Sequence, residues 1–191
     1  RSRLPAVALC AILLLCLTQA PALDGMMTRW NHPSLLESRD TPYGRISITE
    51  REAQVSVFMN NALAFETEGT EAEHFAHLAA LQHPRPERIL ILGGGIEGTV
   101  AEVLKHGPVA VDYVEIDPAM IGTVRAHLSP QKQAPLDKPG VRIITDDPRR
   151  FLQAEGLYDL ILIGMPEPSS GQANRFYTLE FFNLCRDRLK A

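Results

Sequence analysis

ILILGGGIEGTV, residues 89–100, decides how the rest of the chain is read. Four apolar residues run into three glycines, and Gly93, Gly95 and Gly98 fit the G-x-G-x-x-G pattern of a nucleotide-binding turn. Glycines let the backbone turn tightly and let a ligand approach where a Cβ would otherwise stand. Taken alone, they equally suit a tight strand-to-helix turn with no ligand. Glu115 adds specificity: it lies 22 residues after Gly93, at the end of the next strand pattern, where an acid accepts from both ribose hydroxyls. Together they point to a nucleoside-containing cofactor.

Outward from this turn the sequence alternates. Strand patterns at 89–92, 109–116, 141–145 and 159–163 are separated by helical patterns at 99–106, 118–128 and 148–154, and a last helix begins near Phe176. Strands this apolar, in β-α-β-α order, predict a parallel sheet with helices on both faces. Upstream, EAEHFAHLAAL (71–81) reads as a helix from the spacing of Phe75, Leu78 and Leu81. RISITE (45–50), AQVSVFM (53–59) and ALAFETE (62–68) alternate as strands, with Asn60-Asn61 as a two-residue hairpin turn. They predict a small antiparallel sheet over 42–70, after a linker at 24–41. The α/β domain then occupies 71–191.

Residues 4–23 carry no charge, about the length that crosses a bilayer core. Pro5 and Pro21 bracket the run. Two readings stay open: a transmembrane helix, which is favoured, and a signal segment with Ala20-Pro21-Ala22 as its cleavage site. The chain does not begin with methionine and stops inside a helical pattern, so it reads as a segment of a longer protein. The net charge of −4 argues against a nucleic-acid partner. Three cysteines without a C-x-x-C pair, and six scattered histidines, argue against a metal site.

Ligands of such sheets lie outside the carboxyl ends of the strands. There Asp146 is read as ligand-facing, toward an adenine amino group. Asp147 and Asp117, each followed by proline, are read as helix N-caps. The loop GMPEPSSG offers Glu167 as its one acid.

The order of HPRP, ILILGGG, VEIDPAM, ITDDPRRFL, YDLILIGMPEP and RFYTLEFF resembles the polyamine aminopropyltransferases, the spermidine synthase family, over about Tyr43 to Leu189. The resemblance implies a Rossmann-like (class I methyltransferase-like) domain behind a small N-terminal β-sheet. It implies decarboxylated S-adenosylmethionine as co-substrate and a polyamine-type amine as acceptor. The glycine turn maps to Gly93, Gly94 and Gly95, the ribose acid to Glu115 and the adenine-contacting acid to Asp146. It also implies a homodimer. The preceding apolar helix resembles the bacterial membrane-bound members, which implies the inner membrane, against secretion or the periplasm if the segment is a cleaved signal.

Several positions depart from the family pattern. Ile96 stands where the family has the Asp that binds the aminopropyl ammonium; Glu97 is adjacent, but a neighbouring residue at a helix start points elsewhere. Gly164 stands at the family's base position, leaving Glu167 as the surviving acid of that loop. Upstream, Glu73 alone matches the acidic helix motif; Tyr43 is read as beginning a strand where the family often has Tyr-Gln, and here Gly44 replaces the Gln. No catalytic residue is therefore assigned. Glu73 and Glu167 are the substrate-binding candidates, and with Glu71 and Glu97 they would make an acidic pocket. Four functions compete: aminopropyl transfer with an altered substrate, a non-catalytic adenosyl- or polyamine-binding module, an S-adenosylmethionine-dependent methyltransferase, and, weakest, an NAD-dependent oxidoreductase.

Overall fold

A computed structural model describes residues 4–154 and 156–190. Helix α1 runs Leu4–Asn31. Strands β1 (Leu35–Thr41), β2 (Gly44–Arg51), β3 (Gln54–Met59) and β4 (Ala62–Glu66) follow, and then helix α2 (Glu71–Ala80). The second half comprises β5 (Arg88–Leu92), α3 (Thr99–Leu104), β6 (Ala110–Glu115), α4 (Pro118–His127) and α5 (Pro130–Gln133). It continues through β7 (Val141–Thr145), α6 (Pro148–Phe151), β8 (Leu160–Ile163), α7 (Gly171–Asn174) and α8 (Leu179–Arg186).

The expected α/β architecture is present. β5 to β8 form a parallel sheet in the order β7-β6-β5-β8, and β1 to β4 an antiparallel sheet in chain order. Side chains alternate across a strand, and both faces of the parallel sheet are buried. On one face Ile89, Ile91, Val111 and Tyr113 pack with Ile46, Ile48, Val55 and Val57 of the antiparallel sheet and with Val100 and Val103 of α3. On the other, Leu90, Leu92 and Val114 pack with Leu152, Tyr158, Phe176 and Phe181. This double burial makes the strands read as unbroken apolar runs. Within the second cluster, Asp112 is buried but satisfied: Tyr158 Oη donates to it at 2.7 Å and Arg142 at 2.6 and 2.7 Å. Burial pushes its carboxyl up, yet these hydrogen bonds outweigh burial and hold it below the ordinary value.

Four expectations change. Residues 24–41, read as a linker, carry regular structure: α1 continues to Asn31, and β1 extends the antiparallel sheet back to Leu35. Pro21 lies inside α1 rather than at its end. Beyond it, the last turns of the helix dock on the sheet. Arg45 of β2 donates to Asp24 at 2.8 Å and to Thr28 at 3.0 Å, and His32 is within 3.2 Å of Asn61 Oδ1. Among the described residues, Val7–Asn31 is the one helix long and apolar enough to cross a membrane. Arg1 and Arg3, the basic residues ahead of the apolar run, lie outside the described residues.

Second, α2 forms where its pattern predicts, but the residues that mark the pattern do not face the core: Phe75, Leu78 and Leu81 are 38%, 67% and 74% exposed. It buries Ala76 and Ala80, whose i, i+4 spacing marks the opposite face. A periodicity weighted by large side chains overlooks the small residues that let a helix sit close to its neighbours. Third, Tyr43 does not begin a strand but lies with Pro42 in the turn between β1 and β2. Fourth, residue 53 is a turn residue. Glu52-Ala53 and Asn60-Asn61 both have positive φ, +52° and +66° in each pair, and form two-residue hairpin turns. The Asn60-Asn61 turn was legible because asparagine tolerates this region; alanine there costs about 1–2 kcal/mol and gives no signal.

Candidate functional site

The site lies at the carboxyl ends of β5, β6, β7 and β8, and its floor is the glycine turn. Gly93 and Gly94 adopt φ of +72° and +68°. The turn is stitched to both neighbours: Gly93 N donates to Val114 O and Gly164 N to Leu92 O, each at 2.9 Å. Gly95 has a different role. A Cβ there would stand 2.5 Å from the Tyr113 ring, so its missing side chain lets the turn rest on that ring.

Tyr113 and Glu115 are two residues apart on β6 and therefore share a face. Tyr113 Oη donates to Glu115 Oε2 at 2.8 Å, and the Asp117 amide donates to Oε1 at 3.2 Å. Each carboxylate oxygen keeps lone-pair capacity for a ligand hydroxyl. Burial pushes the Glu115 carboxyl up, the hydrogen bonds from Tyr113 and Asp117 pull it down, and the charge of Asp117 raises it; the net shift is upward. The sequence reading named Glu115 and missed Tyr113, although a lone tyrosine within VAVDYVEI was the available signal.

Ile96 and Glu97 take opposite sides of the turn. Ile96 is buried in the core beneath the turn, 4% exposed. Glu97 does not point elsewhere. Residues 95–97 form a 3-10 turn, capped on either side by left-handed Gly94 and Gly98. In that geometry residues three apart eclipse one another, so Glu97 folds back over Gly94. Its Oε2 lies 3.4 Å from where a Gly94 Cβ would be. Desolvation, and then the charge of Glu115, push its carboxyl up to about 7.

Asp146 closes β7, and its amide donates to Glu115 O at 3.1 Å, which sets the two acids side by side at the sheet end. Its carboxylate accepts from the Asp147 amide and from Arg150 Nε, both at 2.6 Å. Asp147 is the N-cap of α6, accepting from Arg149 N at 2.9 Å, and Asp117 caps α4, accepting from Ala119 N at 2.9 Å. Both readings as caps hold. Asp117 is 3% exposed, and its second oxygen, Oδ2, has no hydrogen-bond partner. Beside it a cavity of about 470 Å³ opens between the β1–β2 turn and α4, lined by Asp40, Thr41, Tyr43, Asp117 and Pro118.

The loop after β8 packs directly on the glycine turn. A Cβ on Gly164 would stand 2.7 Å from Gly93 O, so no side chain fits there with this backbone. Met165 Sδ lies 3.2 Å from the Cβ position of Gly93, and Tyr177 Oη donates to Met165 O at 2.8 Å. Of the substrate-binding candidates, Glu167 is exposed in this loop and Glu73 is exposed on α2. In the stretch around Glu73, the residue that meets the glycine turn is Ala72, whose Cβ is 3.3 Å from the Gly98 position. Gly44 departs from the family pattern for a local reason: a side chain there would meet Asn60 at 2.6 Å. Among the described residues, no group of three or more His, Cys, Asp or Glu is placed to hold a metal ion.

Residues 68–191 match the spermine/spermidine synthase domain. The chain is 31% identical to a polyamine aminopropyltransferase of Leptospira interrogans, across 81% of this chain and 32% of that protein. It is 32% identical to one of Thermotoga petrophila, across 82% of this chain and 54% of that one. Among solved structures it is similar to a spermidine synthase in complex with the transition-state analogue AdoDATO, with a TM-score of 0.75 and 29% identity over 82% of this chain and 55% of that one. The spermidine synthase of Thermotoga maritima gives a TM-score of 0.72 at 27% identity, over 82% and 54% of the two chains. The chain thus spans between about a third and just over half the length of these relatives.

Proposed function

The chain belongs to the spermine/spermidine synthase family, and we propose that its site binds decarboxylated S-adenosylmethionine and directs an aminopropyl group to a polyamine-type amine. The observation that carries this reading is Glu115, buried at the end of β6 beside the glycine turn with lone pairs left for a ribose. Gly93, Gly94 and Gly95 admit the nucleoside closely, and Asp146 beside Glu115 is the acceptor for an adenine amino group, once released from Arg150.

The co-substrate supplies an electrophilic aminopropyl carbon on a sulfonium. The amine nitrogen attacks that carbon, the C–S bond breaks, and sulfur departs with the electron pair as the thioether of 5′-methylthioadenosine. The nitrogen then loses a proton, for which Glu167 and Glu73 are the candidate acceptors in the amine half of the site. We also read α1 as the membrane attachment, in a bacterial inner membrane, with the nucleoside-binding domain over 71–191 and a homodimer as the working assembly.

Gly164 favours a second reading. Its close packing on Gly93 excludes an acid from that position, which suits a module that binds an adenosyl compound without transferring the group. One experiment separates the readings. The full chain in detergent is incubated with decarboxylated S-adenosylmethionine and putrescine, and the products are followed by mass spectrometry alongside calorimetric binding. Appearance of 5′-methylthioadenosine with an aminopropylated amine supports transfer. Binding without turnover supports the second reading, and absence of nucleoside binding refutes both.

A further inference from the structure

We infer that the last two turns of α1 are an interfacial anchor: Leu23, Met26, Met27 and Trp30 lie against the headgroup boundary of a bilayer, while another face of the same turns holds the antiparallel sheet. The inference rests on the reading of α1 as the membrane attachment and goes further, since it says where the bilayer ends and which part of the folded domain sits on it. Two faces of these turns have different partners. Asp24 and Thr28, four residues apart and so on one face, meet Arg45 at 2.8 and 3.0 Å, and Arg45 forks onto Asp40 at 2.7 and 2.8 Å. One turn on, His32 is buried against Phe58, with ring centroids 4.5 Å apart. Leu23, Met26, Met27 and Trp30 follow the i, i+3, i+4, i+7 spacing of a second face. They are 51%, 59%, 66% and 85% exposed, and the last three line a shallow hollow there.

A lipid surface is the occupant that this stripe fits. The stripe continues the charge-free run of residues 4–23, within a helix apolar and long enough over Val7–Asn31 to cross a membrane. Residues 4–23 rise about 30 Å, the thickness of a hydrocarbon core. From Leu23 to Trp30 the axis rises about 10 Å more, through the headgroup layer. Helical side chains lean toward the N-terminus, which here is the hydrocarbon side, so Trp30 reaches back toward the boundary. Tryptophan suits that level because its ring is apolar while its N–H needs a polar partner. Exposed Arg29 beside it suits headgroup phosphates. Asp24, the first charge after the run, opposes such a position on its own, and Arg45 supplies the countercharge. Only Pro33 and Ser34 separate His32 from β1, so the docked sheet is seated at the bilayer surface rather than on a free tether.

Trp30 is its own reporter, being the only tryptophan in the chain. The full chain is reconstituted into phosphatidylcholine–phosphatidylglycerol vesicles whose acyl chains are unlabelled, brominated near the headgroup, or brominated near the chain end, and flotation is measured on the same samples. The protein is expected to float. Its emission should be blue-shifted, with shallow bromines cutting it by about half or more and deep bromines cutting it less, as suits a face about 5–10 Å into the boundary. Met26→Ser with Met27→Ser should float equally and lose most of that quenching. The inference is overturned, with the attachment still standing, if the protein floats but Trp30 emits as an indole in water. A blue-shifted emission insensitive to both brominated lipids also overturns it, since that marks a second copy of the chain on the stripe. So does quenching that the double serine variant leaves unchanged. Protein that fails to float refutes the membrane attachment itself, and this inference with it.

Discussion

Glu97→Gln should change how the stability of the chain depends on pH, independently of any ligand. The folded carboxyl sits at about 7, against an ordinary value of 4.5. Between those values the unfolded chain has released a proton that the folded chain still holds. Unfolding is then accompanied by proton release, and stability falls as pH rises. The stability present below about pH 4.5 is lost progressively up to about pH 7 and falls no further above it. The shift corresponds to about 3 kcal/mol at most; partial exposure of Glu97 brings the measured value below that ceiling. Glutamine has similar size and carries no charge, so the variant should match the wild type at pH 4.5 and gain progressively toward pH 8. The assay is urea unfolding of both full chains in the same detergent at half-unit pH intervals, compared by midpoint and slope. A difference between the two proteins that is the same at pH 5 and pH 8 would refute the placement of Glu97 against Glu115.

Three further outcomes follow from individual contacts. Gly95→Ala places a Cβ 2.5 Å from the Tyr113 ring and should destabilise the domain by about 1–3 kcal/mol, measured by denaturant unfolding. Tyr113→Phe removes the 2.8 Å donor to Glu115; it should cost about 1–2 kcal/mol and move the Glu115 carboxyl further upward, read by carbon-detected NMR titration. Ala53→Gly relieves a positive φ of +66° and should raise stability by about 1 kcal/mol without altering nucleoside affinity, read from the unfolding midpoint and calorimetry.

Much of the fold was legible because its signals are local. A strand buried on both faces must be apolar throughout, so ILIL of β5, the most buried strand, announced a parallel sheet wherever its helices lay. Asp117-Pro118 and Asp147-Pro148 announced helix starts, because a side-chain acceptor followed by a residue without an N–H suits the first turn. Asn60-Asn61 marked a hairpin by its tolerance of positive φ. Ala53 carries no such mark, and neither does the buried face of α2, where alanine was selected for close approach rather than for hydrophobic bulk.

Sequence by itself thus picked out the glycine turn and Glu115 as the candidate nucleoside half of the site. The glycines and Glu115 sit at consecutive strand ends, 22 residues apart along one βα unit, which spacing alone encodes. Tertiary structure decided the other half. Whether residue 96 or residue 97 faces the cleft depends on a 3-10 rather than α-helical start, and that in turn depends on left-handed Gly94 and Gly98 holding the turn against Tyr113. Whether position 164 can bear an acid depends on how closely β8 approaches Gly93. Both are set by distances between segments far apart in the chain, which no local pattern of residues records.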